Sequence, residues 1–294
     1  ALLGLRTGVI SKLPSHDMGS FMKGKIRSYG VSDDFFMYDD SPSARVGIYY
    51  YENGAYPRKP KVIYDRANSS FYSLKIDEIP EKAYTASRCF HTSGITLALS
   101  PKVRETAIEM IKRFKAAGTL VSFDVNFRGN LWTGEEAKEC IEQILPYVDI
   151  FFCSEDTARL TFKKTGTARE MMKSFTEEYP ISIVASTQRI VHSPKSHTFG
   201  SIIYDARKDI YYEEEPYRDI DVVDRIGSGD AYISGALYGL LTSDFDCEKA
   251  VRYGNATSAV KNTIPGDLPS SDLEEIETII KAHNQTGFQS EMAR

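Results

Sequence analysis

The chain has 294 residues, 41% of them hydrophobic and 26% charged, enough to bury a full core in one large α/β domain or two smaller ones. With 36 Lys+Arg against 41 Asp+Glu the net charge is −5, which argues against a nucleic-acid groove or an anionic membrane surface as partner. Cys89, Cys140, Cys153 and Cys247 lack metal-finger or redox spacing, no apolar run approaches ~20 residues and no signal peptide is visible, so the expectation is a cytoplasmic protein with reduced thiols.

The first stretch, ALLGLRTGVISKLP, opens on an apolar stub and runs into a strand with no helix start before it. It reads as if the chain begins inside an element, with further sequence upstream. A helix is expected near Asp17–Tyr29, stopped by Gly30 at a C′ position. From about Phe35 to Ser73 the rhythm changes. ARVGIYYYENGAYPRKPKVIYDR is two β-rich runs joined by a turn rich in Gly, Pro and charge, with no helix between them, which predicts an antiparallel hairpin. A hairpin inserted into an α/β domain suits a lid over a site, or simply pairs with another subunit. The expected division is therefore a core of residues 1–34 and 74–294 and a β lid of residues 35–73.

Beyond the lid, RCFHTSG is strand-like, and Ser100-Pro101 opens a helix that ends at Gly118. TLVSFDVN is a strand, and Thr133 with Glu136 has capping-box spacing at the next helix start. VDIFFC and ISIVAS are apolar strands; the second runs into TQRIVHSPKSHTFG, within which HSPKSH reads as a loop. His192 and His197 lie in it without cysteine or carboxylate partners, so a metal site there is not expected. Helices are expected from the Gly-Ser-Gly-Asp stretch onward, near Cys247–Lys261 and near Leu273–His283. Apolar strands alternating with helices predict a doubly wound α/β fold, with a mostly parallel sheet covered by helices on both faces.

DRIGSGDAYISGALYGLL, Asp224 to Leu241, holds the chemistry. The run DIDVVD before it is strand-like, and Ile233, Ala236, Leu237, Leu240 and Leu241 follow helical spacing, so Gly-Ser-Gly sits at a helix N-terminus. There the amides lack intrahelical partners, the dipole is positive, and glycine lets the backbone approach a ligand. This is an anion cradle with one carboxylate, Asp230, beside it. A carboxylate there repels phosphate unless it has a task, such as taking the proton from an attacking hydroxyl. An ordinary Asp cap with glycines for a tight turn fits the spacing equally well.

The stretch resembles the C-terminal signature of the PfkB, or ribokinase-like, carbohydrate kinases, D-T-x-G-A-G-D, with Arg225 at the usual Thr and Ser228 at the usual Ala. The resemblance extends over essentially the whole chain and implies the ribokinase-like fold with its lid. It implies an ATP-dependent kinase using Mg²⁺, with a monovalent cation as a further candidate. Asp230 would be the catalytic base, and the amides of Gly227, Ser228 and Gly229 the anion hole. DVNFRGNLW, Asp124 to Trp132, is similar to the D-x-N-x-R-x-x-L-W stretch of 2-keto-3-deoxygluconate kinases within the family. It implies that Arg128 holds the substrate and approaches the phosphates, with Asn126 beside the nucleotide. The bland alternative pairs Arg128 with a neighbouring acid.

Lid positions similar to Tyr49, Tyr64 and Arg66 touch the sugar acid in those kinases. Arg66 and Arg128 together suit a carboxylate, which a guanidinium fork binds through two hydrogen bonds. Tyr50 and Tyr51 read as strand packing. Where the family has N-x-x-E, this chain has Ser154-Glu155-Asp156-Thr157, so Glu155 and Asp156 are the candidates for indirect metal contact and Ser154 for the nucleotide. The nucleotide-side glycine pair is also missing after Ser186, which aligns with a nucleotide position, and Asn255 is the expected contact farther on. The expected reaction is ATP-dependent phosphorylation of a sugar acid, 2-keto-3-deoxygluconate foremost. A neutral-sugar kinase of the fructokinase or ribokinase type and a non-catalytic sensor are the alternatives. A homo-oligomer formed through the lid is the expected assembly.

Overall fold

The computed structural model describes residues 1–283; residues 284–294, the end of the expected core segment, lie outside it. Strand β1 (Thr7–Pro14) leads through helix α1 (Asp17–Ser28) into β2 (Val31–Asp39), which runs parallel to β1. Gly30, at φ +76°, makes the turn after α1. These two strands form a sheet of their own, and β2 crosses the boundary expected at residue 35, so residues 35–39 belong to this parallel pair. The hairpin follows as β3 (Ile48–Glu52) and β4 (Lys61–Asp65), antiparallel, with Tyr49 opposite Tyr64 and Tyr51 opposite Val62.

The core then alternates: α2 (Lys82–Thr85), β5 (Cys89–Ser93), α3 (Gly94–Ala98), α4 (Pro101–Ala116), β6 (Leu120–Asp124), α5 (Gly134–Glu142), β7 (Ile150–Phe152), α6 (Glu155–Leu160), α7 (Ala168–Glu178) and β8 (Ile183–Ser193). The caps are those the sequence predicts. Ser100 Oγ accepts from Val103 N at 3.2 Å, and Thr133 and Glu136 close a reciprocal box, each such cap contributing about 1 kcal/mol.

Beyond β8 the expectation of a loop is corrected. The chain turns at Pro194-Lys195 into β9 (Ser196–Asp205), then β10 (Ile210–Glu213) and β11 (Tyr217–Asp221), all antiparallel to their neighbours. A two-residue connection can only return an antiparallel strand. His192 Nε2 lies 2.9 Å from Thr198 Oγ1 across that hairpin. Among the described residues this sheet has seven strands and is mixed: β5 to β8 are parallel, and β9 to β11 are not. The described residues end with α8 (Ser228–Leu241), α9 (Cys247–Asn262) and α10 (Leu273–His283).

Strand periodicity sends alternate residues to opposite faces. Val121, Phe123, Phe151, Val184 and Ile202 join one buried cluster with Ile111, Phe114 and Ile141 of the helices on that side. Ile150, Phe152, Ile183, Ala185 and Ile203 join the other with Tyr232, Ala236 and Val251 of α8 and α9. Helices thus cover both faces, as α/β packing requires. Among the described residues no helix is long and apolar enough to cross a membrane.

Candidate active site

The turn before α8 is anchored from behind. Val223 N and Asp224 N donate to Asn262 O at the end of α9, at 2.9 and 3.1 Å. The buried Asp224 carboxylate accepts from Ile226 N and from Gly266 N, both at 3.0 Å. Gly227 takes φ +75° at the N-cap, and a Cβ there would stand 2.5 Å from Asp267 O. Only glycine has both the backbone freedom and the absent side chain for this close approach. The amide of Ser228 is spent on Arg225 O at 3.2 Å, so of the three amides expected to form the cradle, this one is turned back into the loop. Gly229 is the opposite case. It is exposed, and nothing lies within 4 Å of where its Cβ would stand. Asp230 follows in the first turn, reached by solvent yet hemmed in closely enough that desolvation raises its pKa. Arg128 and the residue's own backbone amide oppose that rise, and Asp267 adds to it.

Arg128 comes from the carboxyl end of β6, where open α/β sheets gather ligands. Gly94 packs so closely on Val125 O that a Cβ would come within 2.1 Å, which brings the start of α3 hard against this segment. Asn126 takes φ +39°, and its amide donates to Asp124 Oδ1 at 3.2 Å. Arg128 Nη1 donates to Phe127 O at 3.1 Å. Its charge lowers the pKa of both Asp124 and Asp230. Even so, burial pushes Asp124 up to about 7, with the Asp230 charge adding to the effect. Asp124, Arg128 and Asp230 thus form one electrostatic group, although more than 100 residues separate the first two from the third along the chain. Asp124 is the first letter of the D-x-N-x-R-x-x-L-W stretch, and that position is the one signal in the sequence for its place in this group.

The lid reaches the same turn. Tyr49 Oη donates to Asp267 Oδ2 at 2.5 Å, beside the backbone that packs on Gly227. Tyr51 faces Arg225 rather than serving only as strand packing, whereas Tyr50 points to solvent. Arg66 lies over the Tyr64 ring, 4.3 Å from its centroid, and its Nε and Nη2 are buried without a hydrogen-bond partner. Buried donors left unmatched are costly, so a guanidinium in this state is prepared for an acceptor.

The nucleotide-side residues are scattered. Ser154 Oγ caps α6, accepting from Thr157 N at 3.3 Å and lying 2.9 Å from Thr157 Oγ1. Glu155 pairs with Arg159 at 2.9 Å. Asp156 lines a recess of about 550 Å³ with Phe127 and Thr157, which includes neither Arg128 nor Asp230. Among the described residues no group of three or more His, Cys, Asp or Glu is placed to hold a metal. Ser186 is buried within β8. Asn255 is a correction: it is fully buried, accepts from Ser201 Oγ at 2.7 Å and donates to Glu214 Oε1 at 3.0 Å, so it ties α9 to the sheet instead of facing a cleft.

A carboxylate at an open helix start, an arginine beside it and a β lid above are the parts of a phosphoryl-transfer enzyme on an α/β fold. The family model of pfkB family carbohydrate kinases matches residues 1–273. The chain is 33% identical over 279 residues to the 2-dehydro-3-deoxygalactonokinase of Haloferax volcanii, covering 95% of this chain and 83% of that protein. It is 26% identical over 284 residues to the 5-dehydro-2-deoxygluconokinase of Listeria monocytogenes, covering 95% and 82%. Its fold superimposes on the crystal structure of 2-dehydro-3-deoxygluconokinase from Thermotoga maritima with a TM-score of 0.89 at 30% identity, covering 96% of this chain and 86% of the other. The chain belongs to the pfkB family of carbohydrate kinases and is an ATP-dependent sugar kinase with the ribokinase-like fold.

Proposed function

We propose that the sugar is a keto-deoxy sugar acid, 2-keto-3-deoxygluconate foremost, phosphorylated on its terminal hydroxyl to the 6-phosphate. The observation that carries this reading is Arg66, whose two unmatched buried nitrogens sit beside the lid tyrosines. A neutral sugar offers no full negative charge to such a fork, and a carboxylate does. The three similar kinases reported above are named for sugar acids, which supports the same reading.

In this reading Asp230 takes the proton of the terminal hydroxyl. The new O–P bond to the γ-phosphorus forms as the bond to the departing ADP oxygen breaks, and the negative charge leaves on ADP. Arg128 and the backbone around Gly227 and Gly229 offset charge on the moving group. Mg²⁺ would supply further charge compensation when bound with ATP, and of the two carboxylates considered for it, Glu155 is already engaged with Arg159. Tyr49 and Tyr64 lie on the lid hairpin of β3 and β4 and Arg66 directly follows it; in this reading the hairpin closes over the core and excludes water.

The hairpin register leaves Ile48, Tyr50 and Ile63 exposed on the face opposite Tyr49 and Tyr64, which favours a homo-oligomer formed through the lid. Four free cysteines suit a cytoplasmic setting. The test is ADP release with 2-keto-3-deoxygluconate, its galactonate epimer, fructose and ribose. Turnover should favour the acids, and Asp230→Asn should cost about 10²–10⁴-fold in kcat, the usual contribution of a general base. Equal rates on the neutral sugars would remove the acid specificity, and a near wild-type Asp230→Asn would remove the base.

A further inference from the structure

Lys261 stands in the last turn of α9 and is fully buried. A lysine near a helix C-terminus is ordinarily solvated and merely complements the dipole. This one is enclosed, and its Nζ donates to Ile264 O at 3.0 Å. Burying an ammonium is costly unless negative charge nearby compensates it. The carboxylates whose charges act on it through space are Asp224 and Asp267. Both acids are committed to the turn that precedes α8. Asp224 holds Ile226 N and Gly266 N, and Asp267 accepts from Tyr49 while its backbone packs against Gly227. Two carboxylates directly behind a turn that receives a phosphoryl group would repel it and one another. Such a cluster needs a cation, drawn from solvent or built into the chain.

We infer that the Lys261 ammonium is that built-in cation: it balances Asp224 and Asp267, fixes the 264–267 loop against Gly227, and lets the phosphoryl-binding turn work without a monovalent ion from solution. Lys261 is then a positioning residue, acting through the loop and never touching substrate. Burial lowers its pKa, and the two acids oppose that fall without cancelling it. The inference rests on the phosphoryl-transfer reading of the turn.

The experiment measures ADP release by the purified protein and by Lys261→Met, in Tris, Na⁺, K⁺, NH₄⁺ and tetramethylammonium buffers at one ionic strength. The wild type should turn over at the same rate, within about twofold, in all of them. Lys261→Met, shown folded by its thermal melt, should lose about tenfold or more in kcat with little change in sugar KM, and K⁺ or NH₄⁺ should restore activity saturably while tetramethylammonium does not. A lysine that only packs would show no such ion-specific rescue. A wild type stimulated several-fold by K⁺ or NH₄⁺ overturns the inference and leaves the kinase reading intact. So does a folded Lys261→Met that runs at the wild-type rate in Tris, or that no ion rescues. The wild-type arm decides alone if the variant does not fold. A wild type that turns over no sugar in any buffer sinks both readings together.

Discussion

Two glycines one residue apart should respond in opposite ways to the same added methyl. At Gly227 the backbone is left-handed, φ +75°, and a Cβ would approach Asp267 O to 2.5 Å. The left-handed conformation costs a non-glycine residue about 1–2 kcal/mol. The obstructing atom is backbone, itself fixed by Gly266 N on Asp224, so relief requires a backbone shift of the kind that costs about 1–3 kcal/mol. Gly227→Ala should therefore lose about 2–5 kcal/mol and lower the Tm by roughly 3–8 °C for a chain of this size. Gly229 lies in the first turn of α8 with open space over it. Alanine is the better helix former by up to about 1 kcal/mol, so Gly229→Ala should keep or slightly raise the Tm. Its methyl would project into the space that the phosphoryl group is to occupy, and kcat/KM should fall by about tenfold or more, a barrier of about 1.4 kcal/mol. Thermal melts and ADP-release kinetics on both variants separate the two effects. A stable Gly227→Ala would contradict the packing, and a Gly229→Ala enzyme with unchanged kinetics would mean that the open side of this turn receives nothing.

Arg66→Ala should raise KM for a sugar acid by about tenfold or more while leaving any weak neutral-sugar turnover almost unchanged, because a charged hydrogen bond contributes about 1.5–3 kcal/mol; equal losses on both substrate types would make Arg66 a lid-packing residue. Asp124, pushed up to about 7, keeps in the folded state a proton that the unfolded chain releases near its ordinary value of 3.8. Its contribution to stability is fully present below that ordinary value, declines as pH rises, and is gone above about 7. Denaturant melts at pH 5 and pH 7.5 should show wild-type stability falling relative to Asp124→Asn by at most a few kcal/mol, discounted because solvent reaches the side chain. Parallel pH trends in the two proteins would show that Asp124 titrates normally. Asp230 is raised in the same direction, so kcat/KM should decline toward acid with a midpoint above the usual carboxylate range.

The sequence by itself determined what nearest neighbours along the chain decide. Gly30 and Gly118 stop helices, Ser100, Thr133 and Glu136 start them, and the Gly-rich turn before α8 has its form written in local backbone preference. The lid hairpin was legible from two β-rich runs with no helix between them, and the α/β class from apolar strands alternating with helices. What only tertiary structure decided depends on residues far apart in the chain. The sequence shows the turn in HSPKSH but not the strands that run into and out of it, because polar and apolar residues mix on a strand whose far half is exposed. Asn255 looked available until Ser201 and Glu214 closed around it. Asp124, Arg128 and Asp230 share one field only because the end of β6 faces the start of α8. Lys261, Asp224 and Asp267 meet beneath Gly227 for the same reason: charge and close packing act through space, and no spacing along a sequence reports which distant side chains the fold will bring within their reach.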